Sequence, residues 1–266
     1  MAPGSTAASG EIVMRAANID KSFGGLKAVQ NFSLDLPTGS LRGLIGPNGA
    51  GKTTVFNLLT GVYWPDRGAI TLAEREIAGL RPSMIASLGM ARTFQNIRLF
   101  GELSALDNIM LACHVRSRQS MVGRILGSPY SRGEERAMAV RAKEFLALFD
   151  LAHLADEQAR NLSYGDQRRL EIARALATTP KVLLLDEPAA GMNPQEKVEL
   201  RRLIQRLRKE FNVTILLIEH DMGLVMDICE VITVLDHGQV ISVGTPAHVQ
   251  KDPLVIQAYL GVEETP

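Results

Sequence analysis

What this sequence lacks narrows its class before any motif is considered. It has no excess charge of either sign, with 29 Lys and Arg against 29 Asp and Glu over 266 residues. That balance removes the broad electrostatic footprint of a general nucleic-acid binder and leaves room only for a local basic patch. Cysteine is scarce. The two present, Cys113 and Cys229, stand far apart without metal-ligand spacing, which argues against a disulfide framework or zinc site and for a reducing compartment. Long apolar runs are missing too. Runs such as Val213–Ile218 fall far short of the roughly 20 residues a membrane-crossing helix needs. The opening segment Met1–Gly10 has no apolar signal core and is expected to be a flexible tail. Any service to a membrane would therefore be that of a bound subunit, and no repeat of about 20 to 50 residues divides the chain.

What is present suffices for a proper core: 46% of residues are hydrophobic and 22% charged, the balance of a globular chain. Leu41–Ile45 reads as a strand entering a Gly-rich turn, followed by a helix from about Lys52 to Thr60. Lys181–Leu185 and Val213–Ile218 are continuous apolar runs, as expected of strands covered on both faces of a parallel sheet. Between them Leu200, Leu203, Ile204 and Leu207 recur at helical spacing. Strand, helix and strand in succession predict a largely parallel α/β core. Ile12–Ile19 and Val29–Leu36 suggest a smaller antiparallel layer. From about Phe100 to Leu176 strand signals vanish and helix formers dominate, notably over Glu134–Phe149. The polar stretch Arg116–Gly133 predicts an exposed loop or short insertion. Residues 11–266 thus read as one domain, with a helical lobe at about 100–179 inserted in the sheet.

The run Gly46, Pro47, Asn48, Gly49, Ala50, Gly51, Lys52, Thr53, Thr54 matches the phosphate-loop pattern. Its glycines let backbone N–H groups curl around phosphate, and the following helix turns its positive end to the same anion. Lys52 is placed to reach the β- and γ-phosphates of ATP, and Thr53 to ligand Mg²⁺. Asp186 and Glu187 end an apolar strand, at the side where parallel sheets bind ligands. Asp186 then suits Mg²⁺, and Glu187 suits orienting or deprotonating the attacking water. His220 follows the next buried strand and points to a contact with the γ-phosphate. In Leu162–Leu176, Ser163 with Asp166 fits a capped helix start able to grip an anion.

With that last stretch, these residues resemble the ABC ATPase family. Leu162-Ser-Tyr-Gly-Asp-Gln167 is similar to its signature motif, just upstream of the Asp-Glu strand. The resemblance covers almost the whole chain. It implies a P-loop NTPase core of RecA-like type, an antiparallel β-subdomain and an inserted helical subdomain. It implies that Ser163 and Gly165 complete the ATP site of a second ABC ATPase subunit, in a homo- or heterodimer. It places Gln95 in a loop that senses Mg²⁺ and the attacking water and abuts the membrane subunit, Phe23 against adenine, and Ala189–Asn193 in a loop crossing the dimer interface. The runs Ala91–Phe100, Arg116–Gly133, Pro188–Pro194 and Ala258–Gly261 narrow the resemblance to the larger ATP-binding subunit of importers for branched-chain amino acids or related small amides and carboxylates. That subgroup implies two polytopic membrane permease subunits, a solute-binding protein acting indirectly, no nucleic-acid partner, and a peripheral position on the cytoplasmic face of the inner membrane. A soluble ABC ATPase working on nucleic acid or the ribosome is the alternative, set against one phosphate loop, balanced charge and no long heptad array. Two departures stand out: Asp166 puts a carboxylate near a helix start that should face phosphate, and Asn193 replaces an aspartate usual in the interface loop.

Overall fold

Strand formation begins at once in the computed structural model, which describes residues 10–114 and 129–260. The expected tail up to residue 9, residues 116–128 of the expected insertion, and Gly261 lie outside these described residues. Side chains of Ile12–Phe23 (β1) and Leu26–Pro37 (β2) alternate in part between core and surface, with the alternation broken where the pairing shifts register. Leu41–Ile45 (β3) is nearly buried throughout and runs directly into the glycine-rich turn and Lys52–Leu59 (α1). Arg67–Leu72 (β4) and Arg75–Glu76 (β5) complete the antiparallel sheet, in the order β2-β1-β4-β5. After Pro82–Ser87 (α2) comes Met90–Arg92 (β6), a strand too short to show a hydrophobic period in the sequence.

The chain then forms a separate compact unit, Thr93–Pro180, before returning to the first unit at Lys181. This second unit packs Ala105–His114 (α3), Pro129–Leu148 (α4) and Tyr164–Ala177 (α5) around Ile109, Leu146, Phe149, Leu170 and Ala173, none of them more than 1% exposed. Helix α4 starts at Pro129, within the stretch expected to be loop up to Gly133. Proline suits the first helical turn, where its missing N–H is not needed.

Back in the first unit, Val182–Asp186 (β7), Thr214–Ile218 (β8), Val231–Asp236 (β9) and Gln239–Gly244 (β10) join β3 and β6. The order is β10-β9-β3-β8-β7-β6, parallel from β6 to β9 with β10 as an antiparallel edge. Every residue of β7 and β8 is buried, which explains the apolar runs Val182–Leu185 and Ile215–Ile218 within them. Each such leucine or isoleucine contributes roughly 2 kcal/mol by burial. Pro194–Phe211 (α6) crosses from β7 to β8 with Leu200, Ile204 and Leu207 turned inward. Met222–Ile228 (α7), Pro246–Val249 (α8) and Pro253–Leu260 (α9) follow. What this fold decides for function is one edge: β3 lies beside β8, and β8 beside β7, so Gly46, Glu219 and Glu187 leave neighbouring strand ends.

Candidate functional site

The loop after β3 is shaped by glycines that no other residue could replace. Gly46 and Gly51 have φ of 151° and 103°. A Cβ would stand 2.0 Å from the Leu235 carbonyl at Gly46, and 2.6 Å from the Ala28 carbonyl at Gly51. The loop is also braced from outside. Gly238, in the β9–β10 turn, donates its N–H to the Ala50 carbonyl (3.0 Å) and accepts from the Gln30 N–H (2.8 Å). Helix α1 starts from Gly51 with no side-chain cap, so its first N–H groups are left to the loop's ligand. Lys52 is 9% exposed and folds its ammonium onto the carbonyls of Gly46 (2.6 Å) and Pro47 (2.9 Å). Burial pushes the Lys52 pKa down, while Glu187 and Asp186 nearby push it up. Pro47 and Thr54 are half-buried, Asn48, Gly49 and Thr53 are exposed, and Ala50 is buried.

Asp186 ends β7 almost fully covered, and its Oδ2 accepts from the Arg92 guanidinium at 2.7 Å. Arg92 also donates to Asn57 Oδ1 (2.7 Å) and Thr60 Oγ1 (3.4 Å), and lies 5.4 Å from the Phe56 ring centroid. It therefore ties the end of α1 to the carboxylate beside Lys52. Glu187 adopts φ +47°, with its N–H donated to the Ile218 carbonyl at 2.9 Å. Its Oε2 is 3.7 Å from Nδ1 of the exposed His220. Lys52, Asp186, Glu187 and His220 are thus brought to one place, as the sequence suggests.

Phe23 is 41% exposed at the end of β1, presenting a ring that meets Tyr63 edge-to-face at 5.0 Å, with Lys21 Nζ 5.5 Å from its centroid. It is surface platform rather than core.

The second unit holds Gln95, Ser163 and Gly165. Gln95 is exposed, and its backbone carbonyl accepts from Arg168 at 2.8 Å. Arg168 also reaches the Phe94 carbonyl (2.7 Å) and the Tyr164 hydroxyl (3.1 Å) while paired with Glu171 (2.9 Å). Glu171 accepts in turn from the N–H groups of Phe94 (3.4 Å) and Arg98 (3.1 Å), and Arg174 donates to the Arg98 carbonyl. Burial pushes the Glu171 carboxyl up against these contacts. Ser163 caps α5: its Oγ accepts from the Asp166 N–H (3.2 Å) and donates to Asp166 Oδ2 (2.6 Å). Asp166 meets Arg169 at 3.5 Å as well. Its carboxylate is therefore engaged within its own first turn, where the helix dipole favours it. Gly165 is buried beside it. The second departure resolves the same way: Asn193 caps α6 in a reciprocal box with Glu196 (3.0 and 2.8 Å), a role asparagine fills as well as aspartate.

Two site residues escape a motif reading. Arg92 lies in the run Ala91–Phe100, but nothing in that pattern names Asp186 as its partner. Glu219 is buried before His220 and accepts from the N–H groups of Ala189 (2.6 Å), His220 (3.1 Å) and Asp221 (3.4 Å). Burial pushes its carboxyl up and those donors pull it down. A carboxylate flush against a continuous apolar run was its one sequence signal.

The phosphate loop fits a nucleotide, because its Cβ-excluding curl and buried lysine form a cradle for polyphosphate. Thr53 and Asp186 offer hard oxygens of the kind Mg²⁺ takes, the rest of its shell being left to phosphate and water.

Known proteins are similar to this chain over most of its length. The family model for ABC transporters matches residues 29–190, and that for branched-chain amino acid ATP-binding cassette transporters matches 239–265. The high-affinity branched-chain amino acid transport ATP-binding protein LivG of Salmonella typhimurium is 50% identical over 239 residues, covering 90% of this chain and 94% of its own. BraF of Pseudomonas aeruginosa, of the same description, is 46% identical over 249 residues, covering 94% and 98%. The crystal structure of an ABC transporter's ATP-binding cassette in its ADP conformation superposes with a TM-score of 0.81 at 31% identity, covering 94% of this chain and 99% of that one.

Proposed function

The chain belongs to the ABC transporter family of ATP-binding cassettes, and on that premise we propose that it is the ATP-hydrolysing subunit of an importer for branched-chain amino acids or closely related small amides and carboxylates. The observation that carries the reading is the convergence of Lys52, Asp186, Glu187 and His220 on adjoining strand ends beside a preformed phosphate loop. The cargo class rests on LivG and BraF and on the match of the C-terminal segment 239–265.

In this reading the loop's N–H groups and Lys52 hold the β- and γ-phosphates, and Phe23 offers its face to adenine. Lys52 exchanges its two carbonyl partners for phosphate oxygens. Glu187 takes a proton from the attacking water as the water oxygen bonds to the γ-phosphorus and the bond to the bridging oxygen breaks, leaving ADP and phosphate. His220, beside Glu187, contacts the γ-phosphate. Thr53 and Asp186 would hold Mg²⁺, which when bound neutralises charge on the phosphate oxygens. Ser163 and Gly165 serve the ATP of a second ATPase subunit, and nucleotide-driven closure is passed to two permease subunits on the cytoplasmic face. Among the described residues no helix is long and apolar enough to cross a membrane. The named transport relatives favour this reading over a role on nucleic acid or the ribosome.

The test is uptake of a radiolabelled branched-chain amino acid by vesicles holding the permeases, the solute-binding protein and this chain. ATP-dependent uptake that stops with Glu187→Gln supports the proposal. Uptake undiminished by that change, or absent for every cargo of the class, would overturn it.

A further inference from the structure

We propose that Glu219 is a positioning residue for hydrolysis, a buried carboxylate that locks the turn bearing Glu187 to the turn bearing His220. The proposal rests on the reading of Glu187 as the base. Glu219 leaves β8 with a side chain that has no solvent access at all. One of its oxygens accepts from the Ala189 N–H at 2.6 Å, and the other from the N–H groups of His220 at 3.1 Å and Asp221 at 3.4 Å. Three donors converging on two oxygens ask for a group that only accepts. An ionised carboxylate does so, whereas an amide must turn its NH₂ against a backbone N–H.

The consequence falls on Glu187. At φ +47° it occupies the left-handed region, where a residue with a side chain persists only if its surroundings hold it there. Two bonds to consecutive residues of one strand end supply that hold. The Glu187 N–H is fixed by the Ile218 carbonyl at 2.9 Å, and the Ala189 N–H by Glu219. The same carboxylate holds the backbone of His220, whose Nδ1 is 3.7 Å from Glu187 Oε2 and 3.8 Å from Glu219 Oε2. Base and histidine arise on different strands. Through Glu219 the two turns that carry them are joined by one buried group.

The experiment measures ATP turnover and, separately, ATP affinity on the full chain carrying Glu219→Gln, Glu219→Asp, Glu187→Gln or Glu187→Gln with Glu219→Gln. Glutamine keeps the shape but adds a donor; aspartate keeps the charge but shortens the reach. Each Glu219 variant is expected to lose at least about tenfold in kcat while its Kd for ATP stays within about threefold, a split that general loosening of the fold does not produce. In the Glu187→Gln background the added Glu219→Gln change should alter the residual rate by less than about twofold, because Glu219 acts through Glu187. Near wild-type kcat in either variant, a parallel loss of ATP affinity, additive losses in the double variant, or failure of both single variants to fold would each overturn the proposal. Full turnover in Glu187→Gln alone would instead remove the base itself, and is told apart by that variant.

Discussion

Asp186 and Arg92 form a buried ion pair at the end of β7. Their contact at 2.7 Å is nearly closed to solvent, with 6% and 8% of the side chains accessible. Breaking such a buried pair by removing one partner costs up to about 3–5 kcal/mol, and Lys52 nearby offsets part of the charge left on Asp186. Arg92→Met should therefore lower the urea-unfolding free energy by about 3 kcal/mol, and a loss below about 1 kcal/mol would show that Asp186 finds other compensation. Cys229 is a simpler case. Burial pushes its thiol up to about 12, with Glu230 adding to the shift, so the reactive thiolate is suppressed at neutral pH. Native protein should leave Cys229 unmodified by a thiol reagent until denaturant is added; rapid labelling of the folded chain would contradict this.

At the scale of elements, helix starts carry much of the organisation. Asn193 and Glu196 close a capping box at α6. Asn193→Ala should cost about 1 kcal/mol in thermal or chemical unfolding, whereas Asn193→Asp should be within about 0.5 kcal/mol of wild type. Equal losses for both would mean that asparagine does something beyond capping. At α7 the cap is Asp221, which accepts from Leu224 N–H at 3.1 Å and from Lys197 at 2.7 Å. The Lys197 bond, then the cap, holds its carboxyl below the ordinary aspartate value of 3.8. A carboxyl depressed in the folded state contributes stability that is present above its unfolded value and is lost as pH falls through its lower folded value. The stability gap between wild type and Asp221→Asn should accordingly narrow on acidification below the aspartate range, and a gap that widens there would reverse the sign. These caps were partly legible beforehand. Ser163 with Asp166 and Asp166 with Arg169 are local spacings three residues apart, but the Arg168–Glu171 brace on Phe94 and Gln95 is a three-dimensional fact.

For the whole molecule, the reading of Ser163 and Gly165 as parts of another subunit's ATP site makes the active form a pair. With Glu187→Gln, ATP should stay bound and hold two ATPase subunits together, so size exclusion should show a larger species in ATP than in ADP. A single unshifted peak with bound ATP would argue that each chain works alone. The sequence by itself determined the phosphate loop, the buried strands and the helix between them, because glycine curl, lysine reach and apolar periodicity act over a few neighbouring residues. It also placed Asp186, Glu187 and His220 at strand ends, since continuous apolar runs stop where the sheet stops. Only the tertiary structure decided what presses on them. Leu235 and Ala28 forbid a side chain at Gly46 and Gly51, the Gly238 turn braces Ala50, Arg92 closes on Asp186, and Glu219 reaches Ala189. Each joins residues far apart in the chain, and the order of strands in the sheet, which no local pattern encodes, is what makes them neighbours.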